Sequence, residues 1–191
     1  MTETDSTGAT RSRRDPEARR RGIVQAAADL LMESGDLTHR QVAERAGVPL
    51  GATTYYFASL GELREAALAQ LADRLNDDLA RITHEVAAAN GDVAVLAAQL
   101  HAYLSDVDQV RADAALYTSA AQDPALRHLA LRWFDGFVQL TSAWTDPSTA
   151  RNIAVFIDGA SLHATLTGKP LDLPTLTSGL KALLRTEDEE A

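Results

Sequence analysis

No cysteine occurs in the 191 residues, so disulfides, thiolate metal sites and thiol catalysis are excluded. Lysine is scarce: of 18 basic residues only Lys169 and Lys181 are Lys. Aromatic residues are 5% of the chain, which leaves most of any core to aliphatic and alanine side chains. No apolar run approaches the roughly 20 residues that a membrane span needs. The opening MTETDSTGATRSRR has no apolar stretch behind its arginines and does not read as a secretory signal. Also missing are a Gly-rich phosphate loop, an HExxH pair and a GxSxG elbow. The expectation is therefore a protein that is not an enzyme and carries no cofactor. His84, His101, His128 and His163 fall on separate segments without the short spacings of metal ligands, so no metal site is expected.

What is present is apolar enough for a sizeable core, at 46%, with a net charge of −9. The charge is unevenly placed. Residues 66–191 hold nine basic against 17 acidic groups, whereas residues 10–24 hold six Arg against Asp15 and Glu17. A positive field confined to one end, with an acidic remainder, suits a protein that presents that end to a polyanion.

The hydrophobic spacing is helical throughout, with no sustained period of two. Asp15-Pro16 reads as a cap and first turn. Ile23, Ala27, Leu30 and Leu31 follow on one stripe, and Gly35 stops the helix. Thr38 caps a short second helix ending at Gly47, and residues 50–56 form a third. A long helix from about Ser59 carries Leu63, Ala67, Leu71, Leu75 and Leu79 to a break at Gly91-Asp92. Five more segments are expected: 92–104, 107–122 with Val110, Ala114 and Tyr117 inward, one opened by Asp123-Pro124, one opened by Asp146-Pro147, and one carrying Leu173, Leu176 and Leu180. The fold class is all-α with about nine helices.

Residues 37–57, LTHRQVAERAGVPLGATTYYF, have the layout of a helix-turn-helix. Ala43 is the small residue where two helices cross. Gly47, four later, takes the left-handed turn. Val48 packs beneath it, and Val42 and Tyr56 are expected to close the small core. Leu50, Gly51, Thr54 and Tyr55 face away from Ala43 and should meet the major groove, with Leu50 and the Thr methyls suited to thymine methyl groups. Tyr55 and Tyr56 have hydroxyls in reach of phosphates; core packing is the competing reading for Tyr56.

The run GVPLGATTYYFASLGEL resembles the signature of the TetR family of repressors. In that pattern a glycine-valine turn leads into a short recognition helix ended by an aromatic pair, here Tyr56-Phe57. A serine, here Ser59, starts the next helix. The upstream Thr-x-Arg-x-Val-Ala stretch at 38–43 matches as well, and the likeness at motif level spans residues 16–65. Two positions depart from it: Thr53 stands where members often have Leu or Val, and Leu60 where they commonly have Lys. The resemblance implies a repressor in a bacterial cytoplasm. An N-terminal helix-turn-helix domain would join a C-terminal helical domain that dimerises and binds an effector. It places Arg40 at the DNA edge, with pairing to Glu44 as the alternative, and Thr38 and His39 over a phosphate. A homodimer on a pseudo-palindromic double-stranded operator is implied, through a four-helix bundle of the last two helices of each chain. Residues 1–14 are expected to be an Arg-containing arm without fixed structure, 15–58 the DNA-binding domain, 59–186 the effector and dimerisation domain, and 187–191 an acidic tail.

The second domain offers no motif of its own. Tyr103, Tyr117, Trp133 and Phe137 at helical spacing are core or the lining of an effector pocket. Asp158, in FIDGA, is either a pocket anchor or a structural acid bonded to Arg or Tyr. Few basic residues are available inside, so the expected effector is small and apolar or weakly cationic.

Overall fold

The structure, a computed structural model, describes residues 15–185. The expected arm and acidic tail lie outside the described residues. Among these, nine α-helices and one 3-10 turn make up the regular structure: α1 (Pro16–Ser34), α2 (His39–Arg45), α3 (Leu50–Tyr56), α4 (Leu60–Ala88), α5 (Val93–Ser105), α6 (Val107–Gln122), the turn Pro124–Leu126, α7 (Arg127–Thr141), α8 (Pro147–Thr167) and α9 (Leu173–Arg185). No helix is long and apolar enough to cross a membrane.

Carboxylates and hydroxyls start these helices by taking up amides that have no partner in the first turn. Asp15 accepts from the amides of Glu17 and Ala18, both at 3.0 Å. Asp92, Asp106 and Asp146 cap α5, α6 and α8 in the same way. At the start of α4 the exchange is reciprocal. Ser59 Oγ accepts from the Glu62 amide at 3.1 Å, and Glu62 Oε2 accepts from the Ala58 amide at 2.7 Å. Asp123-Pro124 behaves differently from the expected single helix. The Leu126 amide closes on Asp123 O, three residues back, at 3.1 Å, so the segment opens as a 3-10 turn and α7 begins only at Arg127.

The chain divides into two compact units that meet between Gln70 and Leu71, inside α4. In the first, α1 packs on α2 and α2 on α3. Ile23, Ala27, Leu31, Leu37, Val42, Leu63, Ala67 and Leu68 are buried. Two ties hold the turns. Arg45 grips Glu33 with both guanidinium nitrogens at 2.7 and 2.8 Å, and Arg64 bonds Asp36 and, at 3.3 Å, the carbonyl of Gly35. In the second unit α7 packs on α6 and α8, and α5 on α6 and α9. Leu96, Leu100, Leu116, Leu129, Ile153, Ile157, Leu176 and Leu180 form its buried interior.

Candidate nucleic-acid interface and effector cluster

Gly47 sits at φ +64°, in the left-handed region, and the chain turns there. The amide of Gly47 donates to Glu44 O at 3.2 Å and that of Val48 to Ala43 O at 3.0 Å, which closes α2 and aims α3. Ala43, 4% exposed, is small enough for the close crossing. One face of α3 is buried through Thr53; its hydroxyl donates to Leu50 O at 2.8 Å, so the polar atom is satisfied within the helix. The opposite face is bare. Leu50 is 52% and Tyr55 82% exposed, and Gly51 and Thr54 are exposed beside them. An apolar side chain and an aromatic ring held in water on a seven-residue helix are not explained by the core of this unit.

Tyr56 is half-buried, with the Tyr55 ring packed edge-on against it at 5.1 Å and 86°. The small core is closed by Phe57 rather than by the expected Tyr56. Phe57 is 1% exposed, and the Arg20 guanidinium lies 4.9 Å above its ring. The reason is local: α3 ends at Tyr56, and Phe57 has extended backbone, φ −134° and ψ 119°. Thr38 caps α2 by accepting from the Gln41 amide at 3.3 Å. Arg40 is exposed and forms no ion pair with Glu44 or any other described residue. His39 is half-buried, with Nδ1 shielded and without a partner.

The second unit holds a polar cluster in its interior. Asp113 on α6, 2% exposed, accepts from Tyr103 Oη on α5 at 2.9 Å and from Ser161 Oγ on α8 at 2.7 Å. One turn along both helices, Tyr117 Oη donates to Asp158 Oδ1 at 2.7 Å. The helices α6 and α8 are thus linked twice, with acid and donor exchanged between them. Burial pushes the Asp113 carboxyl up to about 7, against the opposing effect of its two hydrogen bonds. Burial likewise raises Asp158 and the phenols of Tyr103 and Tyr117. Trp133 stacks on Tyr103 at 4.5 Å and meets Phe137 edge-on at 4.8 Å.

The description "Tetracyclin repressor-like, C-terminal domain" matches residues 91–186. The chain is 36% identical to a TetR-family member from Streptomyces coelicolor A3, over 87% of this chain and 98% of that one, with a TM-score of 0.77. It is also 36% identical to the multidrug binding protein EbrR, in a crystal structure with ethidium, over 87% and 98% of the two chains, with a TM-score of 0.73. The HTH-type transcriptional regulator BetI of Escherichia coli O157:H7 is 27% identical over 169 residues, 82% of this chain and 87% of that protein. The chain belongs to the TetR family of transcriptional regulators.

The all-α fold and the helix-turn-helix anticipated from residues 37–57 are those of a TetR-family regulator, a family that does not carry out catalysis. Of the five side chains singled out in the second domain, Tyr103, Trp133 and Phe137 are 1–2% exposed and packed together, and Tyr117 and Asp158 are bonded to each other. None of the five lines a separate cleft of about 780 Å³ between the C-terminal half of α4 and α7. Asp113 was not anticipated. The expected inward stripe ran through Ala114, whereas the buried one runs through Val110, Asp113 and Leu116. The available signal was the four-residue step from Asp113 to Tyr117, which places an acid directly below a phenol on one helical face.

Proposed function

We propose that this TetR-family regulator is a repressor that binds a pseudo-palindromic operator as a homodimer and is released by a small apolar or weakly cationic effector. The reading rests on the bare face of α3. Leu50, Gly51, Thr54 and Tyr55 would enter the major groove, with Arg40 reading a base edge and Thr38, His39 and Tyr56 on phosphates. Half-sites should lie roughly 34–36 Å apart or at a multiple of one DNA turn. Dimerisation is supported by Val155, Leu162 and Leu166, which are 57–76% exposed on α8.

The effector class is supported by chemistry at the cluster. Asp113 and Asp158 are two carboxylates with no cationic side chain bonded to them, beside the aromatic side chains of Tyr103, Tyr117, Trp133 and Phe137. Such a site repels anions and attracts flat cations. EbrR has been crystallised with proflavin, malachite green and ethidium, which are flat aromatic cations. The test is a gel shift of the DNA upstream of the protein's own gene, titrated with ethidium against a DNA-only control for intercalation. Binding that weakens roughly 5–150-fold supports the reading. DNA that never shifts sinks it.

A further inference from the structure

We infer that the cleft between α4 and α7 is a second ligand site, separate from the proposed cation site and suited to a flat, neutral aromatic molecule that carries a hydrogen-bond acceptor. Its volume, about 780 Å³, is within the roughly 300–1,000 Å³ of small-molecule sites. Its lining is what sets it apart. No ionisable side chain borders it, in a unit otherwise rich in carboxylates. Asn90, Gln139 and Thr83 supply neutral polar groups among apolar walls. A charged ligand would lose its hydration there without gaining a counter-charge, so neutral molecules are selected.

Small residues open the cleft. Ala80 on α4 and Ala143 on α7 are both exposed on its walls, where longer side chains would fill it. Trp144 closes one end and offers an indole face for stacking. The ring lies on Gly91, where an added Cβ would stand 3.3 Å from it. Its Nε1 is shielded from solvent and bonded to nothing, a state that costs roughly 1–3 kcal/mol in general. This side chain is therefore the movable wall. A ligand that shifts the ring and offers a carbonyl oxygen makes the bond that the empty protein leaves unmade.

The chain has two tryptophans, Trp133 at the acidic cluster and Trp144 at the cleft, so each site has its own reporter. Acridone, a flat neutral ketone, is the probe for the cleft and ethidium the probe for the cluster. In full-length Trp133→Phe, acridone should quench Trp144 emission saturably. Ala80→Phe in the same background should weaken that binding five-fold or more, and Asp113→Asn should leave it unchanged. If Ala80→Phe loses its helical circular dichroism, Ala143→Phe fills the opposite wall instead. Absence of saturable quenching overturns the proposal, as does quenching indifferent to the wall-filling variant, or competitive displacement of acridone by ethidium. The effector reading fails separately, if ethidium does not bind while acridone does.

Discussion

Ser161 donates a 2.7 Å hydrogen bond to Asp113 across 48 residues of sequence, and the carboxyl it meets is 2% exposed. Tyr103 donates to the other oxygen of the same group. Two hydrogen bonds soften the burial of this acid without neutralising it. The nearby Asp158 and Asp78 act in the same direction as burial, since a further negative charge beside them is unfavourable.

That arrangement makes stability depend on pH. Asp113 ordinarily gives up its proton near 3.8, whereas in the folded protein it holds it up to about 7. Between these values the unfolded chain releases the proton and the folded one does not, so ionisation favours unfolding. The contribution of Asp113 is most favourable below the unfolded value, declines from about pH 4 to about pH 7, and is level above. Asp113→Asn cannot ionise and keeps an acceptor for Ser161 or Tyr103. Its urea midpoint should therefore decline less steeply over that window than that of the parent. A slope remains from Asp158, whose carboxyl is also raised by burial. Equal slopes in parent and variant would show that Asp113 is ionised in the folded state at lower pH than its burial implies.

At the DNA face the expected losses differ in kind. Arg40→Ala should cost roughly 1–3 kcal/mol and relax preference at one base pair, because a guanidinium on a base edge carries sequence information. Tyr55→Ala, which removes an 82% exposed ring and its hydroxyl, should weaken operator and unrelated DNA alike. Fluorescence anisotropy on both DNAs at several salt concentrations separates the two. Unchanged affinity and base preference in Arg40→Ala would place α2 away from the bases.

The helices and their punctuation were legible because they follow from local chemistry. Asp15-Pro16, Thr38, Gly47 and Gly168 each act within four residues of themselves, and the caps and left-handed turns lie where the sequence suggests. The exposed face of α3 was legible for the same reason, since a seven-residue helix with one buried stripe leaves few choices. Phe57 was not, because its burial depends on the chain turning extended just after α3 and on Arg20 arriving from α1. Asp113 was hidden for a related reason. A single acid in an Ala-rich helix reads as solvent-facing until Tyr103 and Ser161 are brought to it from two other helices. The clefts of the second unit belong to the same class, being set by helix crossings that no spacing within one helix specifies.

Gly47→Ala tests the turn by itself. A Cβ there would meet nothing within 4 Å, so no clash confuses the result. The cost is that of a left-handed backbone for an L residue, roughly 1–2 kcal/mol. Gly47→Asn, which tolerates that region better, should lose less. Thermal unfolding should rank the three proteins Gly, Asn, Ala. If Ala matched Gly, the left-handed geometry at φ +64° would not be required for the fold.

The dimer is tested on α8. Ile153, Ile157, Ala160 and Ala164 bury one face of this helix, while Val155, Leu162 and Leu166 form a stripe on another, at 58%, 57% and 76% exposure. Spacings of seven and four residues keep these three side chains together on one side of a helix. Leu173, at the start of α9, is 40% exposed as well. Isolated exposed leucines need no partner, but a contiguous stripe in water does. Around a two-fold axis the same stripe from each chain would cover the other, and each fully covered Leu contributes about 1.5–3 kcal/mol. Leu162→Asp combined with Leu166→Asp removes that area and sets like charges against each other in both chains. The parent should sediment as a dimer at micromolar concentration and the double variant as a monomer with unchanged helical circular dichroism. Operator binding by the variant should fall toward that of one half-site. A monomeric parent, or a variant that stays dimeric, would remove α8 from the interface.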